Sequence, residues 1–140
     1  MGIDNSEDWI LERICIAAFE GQTSSLATLL KNQVDLNRVG KNWTPLHAAI
    51  ENENLDCVRL LINYGASIEY CGENVMCTPL EHAIDICIQS NNNTGGKDGD
   101  ENVEIIKLLL DSGANPATGE KIAQLYNSVK IRSLLKEYTE

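Results

Sequence analysis

Two histidines and five cysteines are the side chains of this sequence best suited to chemistry: His47, His82, Cys15, Cys57, Cys71, Cys77 and Cys87. Imidazole and thiolate together are zinc ligands, and they also form nucleophile–base pairs. The spacing favours neither. His82 and Cys87 are five residues apart, which on one helix points them about 140° from each other. Cys71 and Cys77 give no standard zinc spacing, and Ser, Cys and His form no recognised nucleophilic arrangement. The segment Ser90–Asn102, SNNNTGGKDGDEN, contains Gly96-Lys97, but Asp98 follows and no Gly stands five residues before Gly96. It is therefore not a phosphate loop. Its acids Asp98, Asp100 and Glu101 lack the rest of a calcium loop. The expectation is no catalytic residue, no metal site and no cofactor, in a chain that is not an enzyme. A metal-binding or enzymatic protein built on Cys71, Cys77 and His82 is the remote alternative.

The same residue types suggest a compartment. An odd number of cysteines behind an acidic, polar start reads as reduced thiols in the cytoplasm. Cys71 and Cys77 flank an expected turn, and a disulfide between them is the lesser reading. Met1-Gly2 formally fits an acylation pattern, but Glu7 and Asp8 follow where a membrane anchor would need basic residues. No apolar run approaches the ~20 residues that span a bilayer, so no membrane association is expected.

The elements that position these groups are repeats. Thr44-Pro45-Leu46-His47-Ala48-Ala49-Ile50 recurs as Thr78-Pro79-Leu80-Glu81-His82-Ala83-Ile84. Val58 to Ala66 recurs as Ile106 to Ala114, at a wider spacing than the first pair of segments, so the later copy carries an insertion. A degenerate earlier copy runs through Ala17-Ala18-Phe19 and Leu29-Leu30, and a last copy starts near Thr118. Thr suits a helix cap, and Pro suits the first helical position. The Ala residues allow close approach of neighbouring helices. The paired Leu residues, Leu60 among them, face the core of a second helix, and Gly65 and Gly113 end it in the left-handed conformation. One hairpin cannot bury its apolar face, whereas stacked copies can.

Thr-Pro-Leu-His-Ala-Ala, a Leu-Leu pair and Gly-Ala, repeating at about 33 residues, resemble the ankyrin repeat. The resemblance covers nearly the whole chain and is weakest at the ends, where terminal units carry polar faces. It implies an all-α solenoid of stacked helix-turn-helix units with short hairpin-like finger loops. The expected single domain, 1–140, has units at about 6–38, 39–72, 73–117 and 118–140, with fingers near 35–43, 68–77 and 115–119. The first helix begins near Ser6. The insertion 90–102, rich in Asn and Gly, is expected to be a solvated loop inside the third unit. Glu81 stands where the family has its His, so the tie which that His makes between neighbouring turns is in doubt there.

Charge points to the partner. The chain has 21 acids and 11 bases. Residues 50–105 hold 11 of those acids and only Arg59 and Lys97 as bases. Phosphate contacts need basic patches, so nucleic acid is not the expected partner; a basic protein is. Glu20, Glu51 and Asp85 occupy equivalent places in three units. The resemblance puts them side by side, solvated, on a concave partner-facing side, with Asn52 next to Glu51 and with Glu73 and Glu81 near the same strip. Lys41, Trp43, Asn74 and Val75 lie at the two central fingers, with Trp43 either a binding anchor or packing for the neighbouring turn. The expected function is protein–protein interaction by a chain that is monomeric when free. It would neutralise a basic partner, as an immunity protein inhibits a bacterial toxin. A general ankyrin adaptor or scaffold is the alternative.

Overall fold

Thr44 and Thr78 decide where the two central inner helices begin. Each takes an extended backbone, and its hydroxyl accepts the N–H of the residue three places on, His47 or Glu81. Pro45 and Pro79 follow at the first helical position, where no N–H is needed. A computed structural model of the chain describes residues 6–38, 43–71, 77–97 and 99–139. Among these the secondary structure is all helical: α1 Ser6–Glu20, α2 Thr23–Leu30, α3 Pro45–Glu51, α4 Leu55–Asn63, α5 Pro79–Asn93, α6 Glu104–Asp111, α7 Ala117–Leu125 and α8 Val129–Glu137. None of them is long and apolar enough to cross a membrane.

The helices form two layers. The odd-numbered helices stack in chain order, α1 on α3, α3 on α5 and α5 on α7, as an inner layer; α2, α4 and α6 stack likewise behind them. One continuous core runs between the layers, from Ile14 and Ala18 through Leu46, Ala49, Ile50 and Leu61 to Leu80, Ile84, Leu109, Ile131 and Leu135. Small residues let the inner helices close up. Gly119 of α7 is the limiting case, because a Cβ there would lie 2.6 Å from Ile84 Cδ1. The paired leucines divide their work: Leu61 is fully buried, whereas Leu60 is only partly covered.

Gly65 and Gly113 end α4 and α6 with φ of +100° and +107°. In the first case Gly65 N–H reaches the Ile62 carbonyl and Ala66 N–H the Leu61 carbonyl, both at 3.0 Å. This pair of hydrogen bonds needs one left-handed residue, which glycine adopts without strain. It also turns Ala66 and Ala114 into the core.

The insertion departs in part from the expectation of a solvated loop: residues 92–95, 97, 99 and 100 are exposed, but its start is helical and its end is docked. Helix α5 has 15 residues where α3 has 7, so Ser90–Asn93 are helical and the inner helix overshoots its neighbours. Eight extra residues add about 12 Å at 1.5 Å each. The chain turns at Gly95, φ +79°, and residues 99–103 lead into α6. Both halves are tied down. Ser90 donates its hydroxyl to Glu53 of the second unit (3.0 Å). On the return, Glu101 is only 4% exposed. Its carboxylate accepts the Ser128 hydroxyl at 2.8 Å and the Gly99 N–H at 2.8 Å. Lys130 Nζ donates to the Glu101 carbonyl at 2.7 Å and the Gly99 carbonyl at 3.2 Å.

Candidate protein-binding surface

His47 organises the inner layer at the second unit. It is fully buried, with Nδ1 2.6 Å from Thr44 Oγ1 and Nε2 2.8 Å from the Cys77 carbonyl. A carbonyl only accepts, so Nε2 carries the proton and Nδ1 accepts from the Thr44 hydroxyl. Burial holds this imidazole down to about 4, against the raising effect of the Cys77 carbonyl. A neutral ring thus spans from one unit to the start of the next.

The third unit solves the same problem differently. Glu81 folds back on its own helix start: Thr78 N–H donates to Glu81 Oε1 (2.9 Å) while Glu81 N–H donates to Thr78 Oγ1 (3.2 Å). The junction to the fourth unit is a hydroxyl contact, Thr78 Oγ1 to Thr118 Oγ1 at 3.5 Å. Glu81 is therefore a half-buried capping residue.

His82, which repeat alignment sets opposite Ala48, occupies the junction to the second unit. Its ring lies 5.4 Å from Trp43 and 5.6 Å from His47. Its Nε2 is 2.9 Å from Glu51 Oε1 but off the line of the ring N–H, so the two touch without a well-formed hydrogen bond. Burial lowers the imidazole pKa, partly countered by the charge of Asp85. The replacement of an alanine by a histidine between otherwise matching repeats is the sequence signal for this role.

The expected strip is only partly assembled. Glu51 and Asp85 do come together: burial first, and then Asp85's charge, push the Glu51 carboxyl up from its ordinary value. Neither is the freely solvated carboxylate expected. Glu51 is half-buried against His82. Asp85 accepts from Tyr126 Oη (2.6 Å) and Gln89 Nε2 (2.9 Å). Glu20 is exposed at the end of α1, beside Phe19 and Trp43. Asn52 is used internally, since its Nδ2 donates to the Phe19 carbonyl at 2.9 Å, and Asn54 Nδ2 reaches the Ala18 and Phe19 carbonyls at 2.8 Å. Trp43 is half-buried, its ring packed near His82. Lys41, Glu73, Asn74 and Val75 lie outside the described residues.

The layers differ in charge. The four inner helices hold eight acids (Glu7, Asp8, Glu12, Glu20, Glu51, Glu81, Asp85, Glu120) and two bases (Arg13, Lys121). The outer helices α2, α4 and α6 hold three acids (Asp56, Glu104, Asp111) and two bases (Arg59, Lys107), and α8, paired with α7, holds Glu137 with Lys130, Arg132 and Lys136. On the inner side a groove of about 240 Å³ opens between α1 and α3, lined by Glu12, Cys15, Ile16, Phe19, Glu20, Trp43 and Ala48. Ile16 is 47% and Phe19 41% exposed, and Trp9 on the same helix is 60% exposed. Repeat matching singles out only Ala17-Ala18-Phe19 in the first unit and passes over this face. The available signal is helical phase: Trp9, Ile16 and Phe19 stand out of step with the core face set by Leu11, Ile14, Ala17 and Ala18.

Comparison with known proteins agrees with this architecture. Residues 14–120 match the family model described as "Ankyrin repeats (3 copies)". Over 100 residues the chain is 32% identical to "Ankyrin repeat and SOCS box protein 11" of Homo sapiens, and equally to the protein of that name from Pongo abelii. Those alignments cover 71% of this chain and 26% of each relative, so the chain spans about a quarter of their length. With stacked helix pairs, a buried Thr-Pro-Leu-His network and a matching family model over most of its length, the chain belongs to the ankyrin-repeat family, whose repeats are protein-interaction modules.

Proposed function

We propose that this chain binds a basic protein on its inner layer. The observation that carries the reading is the concentration of acid on the inner helices: net −6 there, with Glu7 and Asp8 paired to Arg38, against −1 on α2, α4 and α6 and +2 on α8. Complementary charge accelerates encounter and selects among partners. The finer reading is neutralisation, in which the acidic layer covers the working surface of a basic toxin such as a nuclease. The concentration of acid on one side favours it. The likeness to much longer ankyrin proteins favours the other form, an adaptor module. Purification of the chain from its native cells, followed by reconstitution with what accompanies it, tests the proposal. A basic protein bound one-to-one and losing its activity on binding supports neutralisation. A basic protein that keeps its activity supports the adaptor form. Stoichiometric partners that are all acidic would refute the inner-layer reading.

A further inference from the structure

We propose that residues 99–101 of the insertion are a latch for the last helical pair, α7 and α8: the pair opens as one body when the latch lets go, and its opening takes Tyr126 off Asp85. The link between this opening and docking rests on the reading of the inner layer as the docking surface; the opening of the free chain does not.

The first junction of the stack is closed by backbone. Asn54, just before α4, donates its amide to the Ala18 and Phe19 carbonyls, which are left free where α1 stops. Ser128 stands at the same place before α8: Asn54 N–H bonds the Ala49 carbonyl and Ser128 N–H the Ala123 carbonyl. The helix that Ser128 must reach does not stop there. Repeat alignment matches Ala18 and Phe19 to Ala83 and Ile84, and these lie inside the longer α5, which uses their carbonyls itself. Glu101 supplies the missing acceptor with a side chain (2.8 Å). The segment carrying it is fastened to α5 on both sides, by Asn91 Nδ2 to the Lys97 carbonyl and Cys87 Sγ to the Asn102 carbonyl, each 3.1 Å. Release therefore leaves the latch with the third unit.

The inner half of the pair is weakly held. In α7 the buried residues are Gly119 and Ala123, which carry a single methyl group between them, whereas α3 buries six residues. A terminal unit also has only one neighbour to pack on. Helix α8 brings Ile131, Leu134 and Leu135 to the core, and its start is where the latch grips. The other ties to the third unit run from Thr118 to Thr78, Tyr126 to Asp85, Tyr138 to Asp111 and Lys130 to the Gly99 and Glu101 carbonyls. Of these bonds only that of Ser128 to Glu101 has both residues buried, so breaking it strands polar groups away from water. Opening moves Tyr126 from Asp85 and Gly119 from Leu80 and Ile84, giving the inner layer a second form in which Asp85 is released.

Native-state hydrogen exchange of the full chain tests this. In the wild type the amides of Ala123, Ile131 and Leu135 are expected to share one opening free energy, lower than that of Ala49 and Leu61. Glu101→Ala should speed exchange of the α7–α8 set at least about fivefold. Glu101→Gln, which keeps an acceptor for Ser128, should fall between it and the wild type, and decides the point if the alanine variant does not fold. Ile14→Val, a mild loss in the core of the first unit, should leave the α7–α8 set unchanged, because that set opens first. Tyr126→Phe should speed it about two- to tenfold. Equal opening free energies throughout, or an Ile14→Val effect on α7–α8 as large as on Ala49 and Leu61, would show that the stack opens only as a whole and would overturn the latch. So would wild-type exchange of α7–α8 in the Glu101 variants. Wild-type exchange in Tyr126→Phe would overturn the link to Asp85.

Discussion

Ser128 donates its hydroxyl to Glu101 Oε2 at 2.8 Å, joining the return segment of the insertion to the first residue before α8. Ser128 also caps α8, accepting the Ile131 N–H at 3.3 Å, and it is buried. One hydroxyl therefore ends a helix and holds the insertion. Burial alone would raise the Glu101 carboxyl. Hydrogen bonds from its own backbone, Ser128 and Gly99, with the nearby charge of Lys130, outweigh it and hold the group below its ordinary value.

Glu101→Ala should accordingly destabilise the chain by about 1–3 kcal/mol, because it leaves the buried Ser128 hydroxyl without its acceptor. Replacing 90–102 with a tight turn should lower the thermal midpoint rather than leave it unchanged, as a solvated loop would. Urea unfolding of both variants checks this, and wild-type stability in both would show that the docked segment contributes nothing.

Acid should weaken the fold through His47. Its folded pKa is about 4, against about 6.5 in an unfolded chain. Between those values the unfolded state takes up the proton first, so stability is complete above about pH 6.5 and declines as pH falls toward 4. The shift corresponds to roughly 3 kcal/mol at most. His82, also lowered, acts in the same sense. Denaturant unfolding across the range from neutral to mildly acidic pH should show the decline, and His47→Asn should be less stable at neutral pH but vary less with acid.

The paired leucines give an internal comparison. Leu61→Ala should cost about 2–5 kcal/mol by opening a cavity in the stacked core, and Leu60→Ala clearly less, because Leu60 is only partly covered. Equal losses would mean that the phase of α4 is misassigned.

Neutralising Glu51 and Asp85 should alter encounter more than folding. Glu51→Gln removes a carboxylate whose pKa burial has already raised, so stability should hold or rise slightly. With Asp85→Asn added, association with the basic partner should slow severalfold at low salt and depend less on ionic strength. Stopped-flow association rates at two salt concentrations measure it; unchanged rates would exclude this pair from the docking field.

What can be read from the sequence is set by backbone chemistry. Thr44-Pro45, Thr78-Pro79, Gly65 and Gly113 act through caps and left-handed turns, which residue type nearly dictates. The helical extension is hidden because Asn and Ser have weak helix propensity; the Ser90 hydroxyl bond to Glu53 across units lies outside any local window. Burial of Glu101 is hidden for the same reason, its partners Ser128 and Lys130 belonging to the last helical hairpin. Repeat phase sets Glu20, Glu51 and Asp85 in equivalent positions, but phase does not reveal that His82 and Tyr126 come to meet two of them.

The acids of α1, α3 and α5 and the bases of α8, at the far end of the stack, leave the protein's charge unevenly spread. A cationic body passing within the screening distance, about 10 Å at 0.1 M salt, exerts a torque as well as an attraction. For a basic partner of the kind proposed, that torque would turn the acidic helices toward it before any side chain touches. Fewer collisions with such a partner would then begin in the wrong orientation than random tumbling allows.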